Sequence, residues 1–177
     1  MKKFTLFIAA LMLSAMSFGT TKVSTLTFAE KCNGTGTASD GAVWSITSDA
    51  AESTFSSSDG VHYGTGTKPV KYICLNTNSI EGTVSKVEVT CRNANTSVSA
   101  SVSVTVGNAV FADAQTAANS TTKLTFEGSA VASAANNILI TISRASAENY
   151  ALYCKSVVVT YEQEESFVAK PVITAKE

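Results

Sequence analysis

The chain has 177 residues, with 13 basic and 14 acidic side chains and a formal net charge of −1 at pH 7. This length suits one domain of ordinary size with short extensions at its ends. Only two of the basic residues are arginines, Arg92 and Arg144, and no stretch is strongly basic. The chain therefore lacks the cationic surface that nucleic acid requires, and no nucleic-acid partner is expected.

The N-terminus has the pattern of a secretory signal peptide. Lys2 and Lys3 precede an apolar run over residues 4–18, and Ser17 and Gly19 are small residues at the positions expected before a cleavage site. The run is too short for a membrane span, and no similar run follows it. We therefore predict a signal peptide over residues 1–19 and no membrane span. The protein is expected to be exported, and to be extracellular, at the cell surface or periplasmic.

Short β-strand patterns, separated by turn-rich stretches, follow the signal peptide. These patterns cover residues 23–29, 43–47, 70–75, 122–126 and 137–144. No amphipathic helix of useful length occurs, and residues 112–119 are predicted to form a loop.

The strongest alternation lies in the middle of the chain. Residues 86–91 and 97–106 each place apolar and polar side chains on opposite faces, and a polar tetrad at 92–95 separates the two runs. This pattern predicts an antiparallel hairpin with one buried and one solvated face. Gly107 and Asn108 then predict a second tight turn.

The last strong strand pattern covers residues 150–161 and changes phase near Lys155 and Ser156, which predicts a β-bulge. The sequence thus indicates an all-β, antiparallel β-sandwich, jelly-roll-like, with nine or ten short strands over residues 20–161. Residues 162–177 are predicted to be a charged linker and the start of a following β-module, in a chain that is a piece of a larger protein or ends where a second module once began.

Four stretches carry a resemblance to a known domain: WSITSD at 44–49, HYGT at 62–65, IEGTVSKV at 80–87 and ALYCKSV at 151–157. They resemble, in order, a poorly characterised domain of secreted multi-modular surface proteins of Bacteroidetes and some Firmicutes. The resemblance covers about residues 23–161. It implies a jelly-roll-like β-sandwich that accompanies adhesin-like, glycan-degrading or nuclease modules, and it supplies no catalytic residues.

The four cysteines, Cys32, Cys74, Cys91 and Cys154, have wide and irregular spacing, so no CxxC metal or redox motif exists. An exported chain permits two disulfides in any of three pairings. Cys91 and Cys154 both lie in strand patterns that face the core. They are candidates for a disulfide, with buried reduced thiols as the alternative.

Few residues suggest catalysis. His62 is the only histidine, which rules out a site with several histidine ligands, and neither HExxH nor GxSxG occurs. A paired-carboxylate hydrolase would have to draw on loop residues such as Asp49, Glu52, Asp59 or Asp113. We therefore expect a protein that is not an enzyme, with an atypical hydrolase as the least favoured alternative.

Aromatic residues near loops favour ligand binding, because their faces stack on sugar rings. The candidates are Trp44, His62, Tyr63, Tyr72, Tyr150 and Tyr153. Trp44 shares a strand face with Ile46, which favours the core. Tyr63 lies beside Gly64 and is the best candidate for an exposed ring, and the ligand-binding prediction is Tyr63, His62 and Trp44.

The loop aspartates Asp40, Asp49, Asp59 and Asp113 could bind calcium, although such residues usually only form turns. The expected function is a secreted, non-catalytic, adhesin-like binding module whose partner is a glycan or a surface protein. A structural spacer or assembly domain of a surface protein is the alternative.

Overall fold

The structure, a computed structural model, describes residues 19–32 and 34–164. These residues form twelve strands in two antiparallel six-stranded sheets, which confirms the all-β sandwich. No helix in the described ranges is long and apolar enough to cross a bilayer. The strands are β1 (Gly19–Thr27), β2 (Gly34–Thr37), β3 (Val43–Ser48), β4 (Ser53–Ser56), β5 (Gly60–Tyr63), β6 (Val70–Thr77), β7 (Gly82–Asn93), β8 (Ala100–Val106), β9 (Ala109–Ala117), β10 (Thr122–Ala132), β11 (Ile138–Glu148) and β12 (Leu152–Glu164).

The two sheets differ in strand order. Sheet A runs β10-β7-β12-β5-β4, and β1 pairs with the later part of β12. Sheet B runs β2-β3-β6-β11-β8-β9. Strands β5 to β12 form a folded ribbon in which β8 pairs with β9, β7 with β10, β6 with β11 and β5 with β12. This ribbon, divided between two sheets, is the jelly-roll arrangement that the sequence predicted.

One predicted pairing is wrong. Strands β7 and β8 do not form a hairpin, because β7 pairs with β10 and β12 in sheet A, whereas β8 pairs with β11 and β9 in sheet B. Both strands bury one face against the same core, so they show the same alternation although they lie in opposite sheets. Strand β8 instead forms a hairpin with β9. Its turn residues Gly107 and Asn108 have φ values of 57° and 65°, which suit the tight turn predicted there.

Other expectations have mixed outcomes. The predicted loop at 112–119 is wrong, because strand β9 continues to Ala117, and twelve strands replace the nine or ten expected. The bulge is confirmed, since the β7–β12 register shifts between Cys154 and Ser156. Of the predicted signal peptide, residues 1–18 lie outside the described residues, and Gly19 begins β1. The proposed module start beyond residue 164 lies outside them too.

The core lies between the sheets and is mostly aliphatic. Alternate residues of β7, β8, β11 and β12 point inwards, and those of β11 (Ile138, Ile140 and Ile142) are fully buried. Their outward neighbours in β11 are Leu139, Thr141 and Ser143. Removing the inward side chains from water is the main force that holds the two sheets together.

Candidate functional site

Five connections meet at one end of the sandwich. The register places there the loops 49–52, 64–69, 94–99, 118–121 and 149–151, because each follows or precedes strand ends that pair with one another. Loops that a rigid sandwich gathers at one end are the usual place for binding residues. We call this region the loop end.

A cleft of about 360 Å³ opens at the loop end between connections 49–52 and 64–69. Its polar lining includes Thr54, Thr65, Glu52 and Lys68. Both charge signs and two hydroxyl groups therefore face the same space. We call it the loop-end cleft, and its volume falls within the range of small-molecule sites.

Local hydrogen bonds fix both walls of the loop-end cleft. The Asp49 carboxylate accepts the backbone N–H groups of Lys71 at 2.9 Å and of Tyr72 at 3.2 Å, which ties the 49–52 connection to β6. In the other wall, Thr65 N–H donates to the Lys68 carbonyl at 2.8 Å, and the Lys68 N–H donates to Thr65 Oγ1 at 3.0 Å. The loop is a closed turn and not an open flap.

Tyr150 lies beside this cleft with an unusual backbone. The φ of Tyr150 is 72°, in the left-handed region that bulky residues rarely adopt. Its N–H donates to the carbonyl of the cleft residue Thr65 at 2.7 Å, and its side chain is 55% exposed. The chain thus accepts backbone strain at a position that holds a large aromatic ring in solvent.

The buried side chain of Arg144 stabilises the strained turn at Tyr150 by hydrogen bonds to its backbone. It is only 3% exposed, and its guanidinium donates to the carbonyls of Tyr150 at 2.9 Å and of Ala151 at 3.2 Å. It also donates to Asn93 Oδ1 at 2.6 Å, and to the carbonyls of Val70 and Glu148. Arg144 therefore joins β6, β7, β11 and the 149–151 connection, and among the residues that the structure describes no carboxylate bonds to it. Burial lowers the pKa of its guanidinium.

Sequence reasoning missed the role of Arg144, although a signal existed. Residue 144 continues the inward phase of Ile138, Ile140 and Ile142. A charged residue in a buried phase predicts a satisfied internal cation. The partner Asn93 also carried a signal, because it continues the inward phase of Val89 and Cys91.

His62 belongs to a row of side chains on the outer face of sheet A. Neighbouring strands place Arg92, Tyr153, His62 and Thr54 opposite one another. The His62 and Tyr153 ring centroids are 4.5 Å apart, the Arg92 guanidinium lies 5.2 Å from the Tyr153 centroid, and His62 Nε2 is 2.6 Å from Thr54 Oγ1. His62 and Arg92 come from opposite sides of β12, so both faces of Tyr153 are covered and neither is free to stack on a sugar.

The surroundings of His62 do not form a catalytic triad. Asp59, the carboxylate nearest in sequence, bonds to Thr121 and Ser58 and forms an ion pair with Arg92 at 3.2 Å. In the described part of the chain no carboxylate bonds to His62 to orient the ring, as a triad requires. Burial lowers the pKa of His62, which favours the neutral ring.

The other two predicted ligand residues are buried. Trp44 is 1% exposed, which confirms the expectation that it packs in the core. The expectation that Tyr63 is exposed is wrong: it is 3% exposed, and its hydroxyl donates to the Cys32 carbonyl at 2.8 Å. Proximity to Gly64 misled the prediction, because the strand phase of β5 turns His62 outwards and Tyr63 inwards. Burial raises the pKa of Tyr63 to about 12.

Three of the four aspartates considered for calcium serve structural hydrogen bonds, and the fourth, Asp113, lies in strand β9 and not in a loop. Asp40 accepts bonds from Ser24 and Tyr161, and Asp49 and Asp59 are engaged as described above. Over residues 19–32 and 34–164 no group of three or more His, Cys, Asp or Glu side chains is placed to hold a metal ion. The geometry gives no support for a calcium site.

Comparison of the chain with protein-family models, with curated proteins and with solved structures finds no match. The resemblance to the Bacteroidetes surface-protein domain therefore stays a prediction.

Proposed function

We propose that this protein is an exported, non-catalytic module that binds a glycan at the loop-end cleft, with Tyr150 as the residue that stacks on a sugar ring. The observation that carries the proposal is the strained, exposed conformation of Tyr150 beside the loop-end cleft. Strained backbone persists only where the surrounding structure over-determines it, and it concentrates at functional sites. Here Arg144 and the Thr65 carbonyl provide that support.

The chemistry of the cleft suits a sugar. An exposed aromatic ring supplies an apolar face, while two hydroxyl groups and the side chains of Lys68 and Glu52 supply donors and acceptors for sugar hydroxyls. The site is formed mainly by loops whose hydrogen bonds are already made, so little ordering opposes binding.

The test is binding of the full chain to a glycan array and to insoluble polysaccharides, with Tyr150→Gly as the main variant. Glycine removes the ring and relieves the strained φ, so the variant should remain folded. We expect affinity to fall about tenfold or more, since losing one stacked ring costs roughly 1.4 kcal/mol. Phe55→Ala is the control: Phe55 is 36% exposed on edge strand β4 and does not line the cleft.

Two outcomes would contradict the proposal. Saturable binding that Tyr150→Gly leaves unchanged would move the site away from the loop end. Absence of binding to any glycan by the folded wild-type chain would remove the glycan-binding function itself.

A second candidate, assembly with another copy of the chain, is supported by the outer face of sheet B. Where its four inner strands pair in regular register, their outward positions carry no charged residue, whereas the outer face of sheet A carries several. The sheet B positions are Val43, Ser45, Thr47, Tyr72, Cys74, Asn76, Ser101, Ser103, Thr105, Leu139, Thr141 and Ser143. An uncharged, hydroxyl-rich face can meet itself without like-charge repulsion.

Sedimentation velocity over a range of concentrations tests this candidate. If two copies join through sheet B, Thr141→Lys should weaken the dimer, because it places a cation at the centre of the face. Thr125→Lys, on the exposed face of sheet A, is the matched control. A monomer at all concentrations would rule out this function.

A further inference from the structure

Cys91 and Cys154 face each other across the two central strands of sheet A. Cys91 of β7 is the direct antiparallel partner of Cys154 of β12, between the pairs Arg92–Tyr153 and Thr90–Ser156. Directly opposite residues in an antiparallel sheet have Cα atoms about 4.5–5.5 Å apart. Disulfides accept Cα separations of about 4.4–6.8 Å. The backbone therefore already has the spacing of a cross-strand disulfide.

The two side chains also point the same way. Cys91 is 1% exposed and Cys154 is 0% exposed, and both pack in the core cluster between the sheets. Two thiols on one face of one sheet, at one register position, can bond without movement of either strand over the other. In the structure both are thiols.

Neither of the other two cysteines shares this register position. Cys74 lies on the outer face of sheet B, where its Sγ is 3.6 Å from Thr141 Oγ1. Since the two sheets of a sandwich are about 10 Å apart, Cys74 cannot reach Cys91 or Cys154. Cys32 lies in the connection after β1, outside the paired strands β7 and β12, and its Sγ donates to the Thr35 carbonyl at 3.0 Å. The sequence left three pairings open, and the fold brings together the partners of one bond.

We propose that Cys91 and Cys154 form the single disulfide of this protein, while Cys32 and Cys74 remain thiols. The oxidant is the disulfide of a thiol–disulfide oxidoreductase or of a small-molecule disulfide such as oxidised glutathione. A thiolate of the pair attacks that disulfide and forms a mixed disulfide, and the second cysteine then displaces the leaving thiol. The two cysteines lose two protons and two electrons, and the oxidant leaves as two thiols.

Burial decides when this bond forms. In the folded protein, burial raises the pKa of the Cys91 thiol to about 12 and also raises the pKa of Cys154, so almost no thiolate exists near neutral pH. Neither sulfur is accessible to an oxidant once β7 and β12 are covered. Oxidation therefore occurs during folding, and the bond is then protected from reduction. This inference is independent of the binding function.

The test refolds the full chain from denaturant in a glutathione redox buffer, then labels free thiols with N-ethylmaleimide under denaturing conditions and measures intact mass. We expect two labels before reduction and four after it. A peptide map should contain one linked pair, with Cys91 in one peptide and Cys154 in the other. Four labels before reduction, or a linked peptide that contains Cys32 or Cys74, would overturn the proposal.

Two variants keep the test decisive. The double variant Cys32→Ser, Cys74→Ser should still lose the mass of two hydrogens on oxidative refolding, because both substituted residues lie outside the bond. The same variant refolded with a reductant should have a Tm about 10 °C or more below that of the oxidised form, since the bond closes a long loop of the unfolded chain. A double variant that keeps both thiols in the redox buffer would contradict the assignment even if single-cysteine variants misfold.

Discussion

A buried arginine without a bonded carboxylate is tolerated only when its N–H groups find other acceptors. Arg144 meets this condition through Asn93 Oδ1 and four backbone carbonyls. Its planar fork of donors is what connects the strands beneath the loop end. A lysine, with three donors at a single point, cannot reproduce this geometry.

We therefore expect Arg144→Leu to lower the free energy of unfolding by about 3 kcal/mol or more, because several buried acceptors lose their donors. Urea unfolding measures the change. Arg144→Lys should recover only part of it.

The chain provides its own control for this prediction. Arg92 is the only other arginine, and its ion pair with Asp59 is partly exposed to solvent. Arg92→Leu should cost less than about 1 kcal/mol. Equal losses for the two arginines would mean that the buried network has no special role.

The lowered pKa of His62 predicts how the stability of the protein depends on pH. Burial lowers its pKa in the folded protein below the value of about 6.5 that it has in the unfolded chain. Between those two values the unfolded chain binds a proton that the folded protein does not, so stability should decrease as pH falls below about 6.5. Hydrogen bonding to Thr121 lowers the pKa of Asp59, and Lys123 lowers that of Glu88, so these carboxylates lose their stabilising effect only at more acidic pH.

Thermal unfolding at several pH values between about 7.5 and 5.5 checks this expectation. His62→Gln should abolish the decrease over this range while leaving the acid unfolding of the carboxylates in place. A variant with the same slope as the wild type would show that another group is responsible.

At the scale of the element, the β4–β5 hairpin depends on how closely Gly60 approaches β12. Gly60 has a φ of 87°, and a Cβ atom there would run into the carbonyl of Cys154 and the Cα atom of Lys155. Gly60→Ala should therefore combine backbone strain with a clash against backbone, and lower the free energy of unfolding by about 3 kcal/mol or more.

Gly41 allows the cost of the strained backbone to be measured apart from the cost of the clash. Its φ is 88°, but nothing lies within 4 Å of a Cβ atom built there. Gly41→Ala should cost only about 1 kcal/mol, from the left-handed backbone alone. If chemical denaturation gave the same loss for both variants, the contact with β12 would contribute nothing.

The strands themselves were predictable because each is patterned locally. Alternation located β7, β8, β11 and β12, and the phase change at Lys155 revealed the bulge. Pairing was not predictable in this way, because alternation shows that a strand buries one face but not which strand lies beside it. The β7–β8 assignment failed for that reason.

The candidate site was harder to predict than the strands. The strand phase determines that Tyr63 is buried, but its neighbour Gly64 suggested exposure. Tyr150 was only one of six aromatic candidates, because its importance depends on a positive φ, on a bond from the buried Arg144 and on a bond that its N–H donates to Thr65, which is distant in sequence. Such long-range support is visible only once the strands are assembled.

At the scale of the whole molecule, the connectivity of the ribbon β5–β12 sets the order in which its strand pairs are expected to form. The β8–β9 pair closes across a two-residue turn, and each further pair, β7–β10, β6–β11 and β5–β12, joins segments more distant in sequence. Closing a long loop costs entropy before its contacts form. The β8–β9 pair, which has the shortest loop, should therefore form first. A fold dominated by distant pairs is expected to fold in milliseconds to seconds.

This order makes Asn108, at the centre of the ribbon, a position that controls the folding rate. Asn108 has a φ of 65°, which asparagine tolerates better than alanine does. Asn108→Ala should destabilise the protein by about 1 kcal/mol and slow folding about fivefold, with little change in the unfolding rate. Gly41→Ala carries a similar backbone cost in the β2–β3 turn, outside the ribbon, and should instead speed unfolding. Stopped-flow folding and unfolding rates distinguish the two. If Asn108→Ala left the folding rate unchanged and accelerated unfolding, the ribbon would not begin at its central turn, and the early contacts would have to lie among the long-range pairs of sheet A.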